Sequence, residues 1–159
     1  MKQLLTGLAF MLGSSAAYAG GTHAGGHGDM AIGRPGDAAS ATRTVELRMI
    51  ETEDGEMKFE PATLEFAEGE TVRLVFLNAG KFEHEVVIDS SDKIVEHKAL
   101  MEEFPEMEHD DPNPVRLEPG QTGEIVWTFS KAGQFEFACL IPGHYDMGMH
   151  GPVIVANKS

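Results

Sequence analysis

Three kinds of soft donor stand close together near the carboxyl end of the chain. In Cys139-Leu140-Ile141-Pro142-Gly143-His144-Tyr145-Asp146-Met147-Gly148-Met149, the single cysteine is followed five residues later by an imidazole and five beyond that by a thioether. One thiolate, two imidazoles and a long, weak methionine bond form the donor set of a mononuclear copper site built for electron transfer. This loop offers three of the four, so the second imidazole must come from elsewhere. His84, in Asn78-Ala79-Gly80-Lys81-Phe82-Glu83-His84-Glu85, is the candidate. Other readings stand beside this one. A lone cysteine is often a small buried hydrophobe. A Cys–His pair also serves as nucleophile and base, but no catalytic signature surrounds this pair. Zinc accepts Cys and His, yet its structural sites seldom recruit methionine.

Such donors need rigid supports, and from residue 44 the chain reads as strands. Val45, Leu47 and Met49 alternate with Glu46 and Arg48, as a half-buried strand requires. Met57-Lys58-Phe59-Glu60-Pro61 and Thr63-Leu64-Glu65-Phe66 repeat the pattern. Thr71-Val72-Arg73-Leu74-Val75-Phe76-Leu77 is rich in β-branched and aromatic residues. Asn78-Ala79-Gly80 breaks it, and Glu85-Val86-Val87-Ile88 resumes beyond His84. Further on, Val115-Arg116-Leu117, Gly123-Glu124-Ile125-Val126-Trp127-Thr128-Phe129 and Gln134-Phe135-Glu136-Phe137-Ala138 are strands, and the last delivers Cys139. Val153-Ile154-Val155 closes the domain. Short strands with regular turn signals predict an antiparallel sandwich or barrel.

Residues 91–111 interrupt this rhythm. Ser91-Asp92 is a capping signal, and Ile94, Val95, Leu100, Met101 and Phe104 give an approximate helical stripe that Pro105 ends. An acidic loop follows. His97 and Met101 stand four apart, with Met107 and His109 nearby. A packing stripe is the favoured reading over a donor cluster, because helical methionine is usually core.

The chain opens on Met1-Lys2-Gln3, an apolar run from Leu4 to Leu12, and Ala17-Tyr18-Ala19. This is the pattern of a secretory signal peptide spanning residues 1–19, too short for a membrane span. Export to a bacterial periplasm is the expectation, and no later run is long enough to cross a bilayer. Residues 20–43, rich in Gly, Ala, Ser and Thr, read as a flexible tail. His23, His27, Asp29 and Met30 lie in it, either as incidental polar groups or as a loose secondary metal-collecting arm. The formal net charge of the 159 residues is −14. Polyanions such as nucleic acid and anionic lipid are therefore poor partners, and basic proteins and cations better ones. A single cysteine in an oxidising compartment forms no internal disulfide, and ligation to a metal accounts for it.

Two ordered signatures carry a family resemblance. The first is Phe59-x-Pro61, Gly69-Glu70-Thr71-Val72 and Asn78-x-Gly80-x-x-x-His84. The second is Gly133-x-Phe135-x-Phe137-x-Cys139, then Pro142-Gly143-His144, Met149 and Gly151-x-Val153. Over roughly residues 44–156 the chain resembles the cupredoxins, the family of plastocyanin, pseudoazurin, auracyanin and azurin. The resemblance implies an all-β, Greek-key sandwich over residues 44–159, with a short helical insertion near 91–111. It implies one type 1 copper held by His84, Cys139, His144 and Met149, with His144 as the electron port. Met147 competes for the axial place. Met149 is preferred because its spacing after the second histidine is plastocyanin-like, whereas the Cys-to-His interval looks like azurin, which leaves blue or green colour open. Asn78, Glu85 and Met147 are expected just outside the ligand set. Several family members have Asn where Glu85 stands, bracing the copper loop. A carboxylate there either favours Cu(II) or points to solvent.

The acidic insertion and the His/Met-bearing tail are similar to those of periplasmic copper-tolerance cupredoxins, the CopI-like group. That similarity implies a copper-binding protein of copper homeostasis, with further copper on the tail and a redox or copper-handling protein of basic surface as partner. A dedicated electron shuttle between periplasmic or membrane partners is the alternative. Multicopper oxidases and copper nitrite reductases add clustered histidines, often as H-x-H. The chain has seven histidines and no such pair, so an enzyme is not expected, with weak cuprous oxidation left open as a by-product.

Overall fold

The structure is a computed structural model that describes residues 30–107 and 111–158. The expected signal peptide, His23, His27, Asp29 and His109 lie outside the described residues. Among these described residues, ten strands and one α-helix follow in order: β1 (Arg34–Pro35), β2 (Arg43–Glu51), β3 (Met57–Glu60), β4 (Leu64–Ala67), β5 (Thr71–Asn78), β6 (His84–Asp89), α1 (Ser91–Glu103), β7 (Pro114–Leu117), β8 (Thr122–Thr128), β9 (Gly133–Ala138) and β10 (His150–Ala156). They form two five-stranded sheets, ordered β1-β8-β5-β2-β3 and β4-β10-β9-β6-β7. Most neighbours are antiparallel; β2 with β5 and β4 with β10 are parallel. This is the expected all-β sandwich.

Period-two alternation decides which side chains meet between the sheets. Leu47, Met49, Phe59, Phe76, Trp127 and Phe137 turn inward and are buried. Burying one such side chain stabilises the fold by about 1.5–3 kcal/mol, which offsets the entropy of ordering the strands. The intervening Arg48, Lys58, Glu60 and Glu65 face water.

Strand β6 departs from this pattern, because all six of its residues are buried. The cause is α1, which lies on the outer face of its sheet. Val87 and Ala138 from the sheet and Leu140 just beyond β9 pack with Ile94 and Met101 from the helix, and Met107 and Tyr145 close the cluster. At about 100° per residue, Ile94 and Met101 fall on one line of the helix. The expected apolar stripe therefore splits: Val95, Leu100 and Phe104 fall outside that line and are exposed, Val95 to 64%. The packing reading of Met101 holds.

The sandwich also begins earlier than residue 44. Ile32 is fully buried in the main core, and Arg34 and Pro35 pair with Thr128 and Trp127. Gly33 has φ of 144°, and a Cβ there would run into the Thr128 carbonyl. A large apolar residue among small ones thus anchors a segment expected to lie in the tail. Among the described residues, no helix is long and apolar enough to cross a membrane.

Candidate metal centre

His84 opens β6 and Cys139 directly follows β9, two adjacent antiparallel strands in which Val87 faces Ala138. The loop from Leu140 to Met149 leaves β9 and returns as β10, where His150 again faces Ala138. Its two ends are clasped: the Cys139 N–H donates to the Met149 carbonyl at 2.9 Å, and the Met149 N–H to the His144 carbonyl at 3.1 Å. One strand end and one clasped loop therefore meet at the end of the sandwich.

Three donor atoms converge there. His144 Nδ1 lies 3.3 Å from Cys139 Sγ and 3.3 Å from His84 Nδ1. One donor atom from each of His84, Cys139 and His144 falls within 4.8 Å of the others. Bonds of about 2.0–2.3 Å to one ion set neighbouring donors about 3.5 Å apart, so these residues fit a single metal ion. His84, Cys139 and Met149 are 0% exposed, and His144 is half-buried. Of the two competing thioethers, Met149 is in the core beside Cys139, while Met147 is 43% exposed and uses its carbonyl to accept the Met57 N–H.

Electrostatics suit a soft cation. Burial pushes the Cys139 thiol up to about 12, against the pull of the backbone N–H groups of Glu85 and Ile141. The Glu85 N–H lies 3.3 Å from Sγ. Burial, and then the neighbouring His84, hold His144 below the usual imidazole range. At neutral pH the centre is thus a protonated thiol beside a neutral His144 imidazole, and a thiolate forms there only with a compensating positive charge.

The surrounding residues answer several expectations. Asn78 is buried and ties the loop before His84: its Nδ2 donates to the carbonyls of Phe82 (2.8 Å) and Leu117 (2.9 Å), and its Oδ1 accepts the Gly80 N–H. Glu85 does not point to solvent. It is buried, its carboxyl accepts the Leu140 N–H, and burial raises it to about 7. It therefore stands against the residue after Cys139. Met30, expected as a secondary donor, sits elsewhere, in a cleft of about 220 Å³ with Asp89, His97 and Asp111.

One neighbour was not anticipated. Glu51, the last residue of β2, crosses from the other sheet to place Oε1 2.8 Å from His84 Nε2. Burial alone would raise its carboxyl, but the backbone N–H of Lys81, His84 and the N–H of Phe82 outweigh that and hold it below its usual range. A glutamate 33 positions upstream of His84 carries no local signal. The only sequence trace is Gly80, where a side chain would collide with it.

A family model described as copper binding proteins, plastocyanin/azurin family, matches residues 47–156. Over 139 residues the chain is 50% identical to the copper-resistant cuproprotein CopI of Rubrivivax gelatinosus, covering 86% of this chain and 82% of the relative. The protein of the same name from Pseudomonas aeruginosa is 37% identical over 158 residues, covering 81% and 84%. Among solved structures, a dithionite-reduced auracyanin from Roseiflexus castenholzii aligns with a TM-score of 0.60 at 25% identity, covering 73% of this chain and 98% of that one.

Proposed function

This chain belongs to the plastocyanin/azurin family of copper-binding proteins, and from that premise we propose that it holds one copper ion on His84, Cys139, His144 and Met149, exchanges single electrons through it, and serves copper tolerance in the periplasm. The observation that carries the reading is the convergence of one sulfur and two Nδ1 atoms at two strand ends. Copper supplies a one-electron couple when bound. The protein's part is to fix its donors beforehand, so that little moves when the charge changes. The Glu85 and Ile141 N–H groups receive the sulfur's negative charge, and the core around Cys139 and Met149 excludes water. His144, half-buried, gives the electron its short route to the surface. Binding and single-electron exchange, rather than catalysis on a substrate, are what this donor set supports.

Service in copper tolerance is supported by the names of relatives at 50% and 37% identity. Export rests on the leader-like opening of the chain. The electron-shuttle reading keeps one observation in its favour, the half-buried His144. The purified protein is expected to bind copper with a strong visible sulfur-to-copper band that Cys139→Ser abolishes. A wild-type protein that stays colourless with cupric salt refutes the centre. Deleting the gene separates the two roles: sensitivity to added copper supports tolerance, and a respiratory defect at low copper supports a shuttle.

A further inference from the structure

We propose that Glu51 is a positioning residue that orients His84 and lowers the reduction potential of the centre by giving the imidazole an anionic hydrogen-bond partner. The inference rests on the copper reading above and deepens it.

The carboxylate occupies a built cradle. Its Oε1 stands 2.8 Å from His84 Nε2, and the two side chains are 13% and 0% exposed. Oε2 accepts the Lys81 N–H at 2.8 Å, and Oε1 lies 3.1 Å from the same nitrogen and 3.2 Å from that of Phe82. Gly80 leaves the room: a Cβ there would collide with the Glu51 carboxylate, so the space exists only because that position has no side chain. Asn78 holds the same loop from its other side, through the Gly80 N–H and the Phe82 carbonyl. Two backbone donors and one missing side chain thus fix the carboxylate against the far edge of the ring whose near edge faces Cys139 and His144.

The chemistry follows from the two edges of one imidazole. An Nε2–H donated to Glu51 leaves Nδ1 bare, which is the tautomer a metal at the three-donor centre needs. An anionic acceptor on Nε2–H also makes Nδ1 a stronger base. The gain is larger for Cu(II) than for Cu(I), because the more highly charged ion draws more on the donated electron density and on the nearby negative charge. Stabilising the oxidised ion selectively lowers the potential. A backbone carbonyl in that place would fix the tautomer without the charge.

The test compares wild type with Glu51→Gln, which keeps an oxygen acceptor and the size of the side chain. Loss of such an outer partner typically weakens metal binding about 10–100-fold. The expectation is a fall of about tenfold in Cu(II) affinity with Cu(I) affinity little changed, which for one electron raises the potential by about 59 mV. Gly80→Ala, which displaces the carboxylate without removing its charge from the chain, should shift the potential in the same direction. Equal losses of Cu(I) and Cu(II) affinity, or an unmoved potential, overturn the proposal and leave Glu51 a structural brace. A third measurement needs neither variant nor metal: nitrogen NMR of the metal-free wild type should find His84 as the Nε2–H tautomer, and an Nδ1–H tautomer overturns the proposal. Failure of wild type to take up copper would instead refute the centre itself, a distinguishable result.

Discussion

Replacing Glu85 by glutamine is expected to remove a pH-dependent loss of stability from the metal-free protein. Burial raises this carboxyl from 4.5 to about 7, with Arg116 and the Leu140 N–H pulling it down and Glu83 pushing it up. Between those two values the folded chain keeps a proton that the unfolded chain has lost. Stability must therefore fall as pH rises through the window, and it levels off above about 7. At 1.36 kcal/mol per pH unit the loss comes to about 3 kcal/mol. Glutamine is neutral at every pH and still offers an oxygen to the Leu140 N–H, so its contribution is flat. Asp89, also raised by burial, acts in the same direction in both proteins and cancels from the comparison. Urea unfolding at pH 5 and pH 8, with chelator present, measures the difference. With a slope of about 1–3 kcal/mol per molar, the wild-type midpoint should drop about 1–3 M more than that of the variant. Parallel pH dependence in the two proteins would refute the assignment of a buried, proton-holding Glu85.

Three further outcomes are expected. Because the Cys139 thiol sits at about 12 and His144 is already neutral, taking up a redox-inert ion such as zinc should release the thiol proton. Apparent affinity should then rise about tenfold per pH unit between pH 7 and 9, and a flat profile in competition titrations would exclude the thiolate as ligand. Gly33→Ala should cost more than about 1 kcal/mol, since the new methyl meets the Thr128 carbonyl at a positive φ. An unchanged denaturation midpoint would show that the amino-terminal segment does not pack on β8. Met101→Ala should destabilise by about 2–5 kcal/mol, whereas exposed Val95→Ala should stay within about 0.5 kcal/mol. Equal midpoints for the two would refute the seating of α1 on the sheet.

The parts of this molecule that were readable from the sequence are those whose cause is local. Leu47 and Met49 announce β2 by alternation, and Gly133 through Cys139 announces β9. The pairing of His84 with Cys139 and His144 was readable because the chain has one cysteine, a histidine follows it in the same loop, and another histidine opens a strand. What escaped depends on distant partners. Glu51 resembles any acidic residue at a strand end until β2 is laid across from His84. Ile32 is one apolar residue in a glycine-rich stretch, and only the pairing of the residues after it with β8 carries it into the core. Glu85 reads in the sequence as either favouring Cu(II) or pointing to solvent, because what covers the outer face of β6 is set by tertiary packing. The helix itself was anticipated, but which of its apolar residues face inward was not, since Ile94, Val95, Leu100, Met101 and Phe104 fit one loose stripe equally well.

A strand wet on one side and dry on the other is aligned by its own alternation, because sliding by one residue would turn its oily side to water. β6 lacks that safeguard, being covered on both sides. Its alignment must be set by polar fastenings: His84 on Glu51, Glu85 on Leu140, and the Asn113 amide, which donates to the Ile88 carbonyl at 3.1 Å. His84, proposed above to hold the ion, is thus also an alignment mark of the sheet. A descendant of this protein with no further use for copper would still be held to His84 and Glu85, because abandoning them would loosen the ladder that sets β6 against β7 and β9.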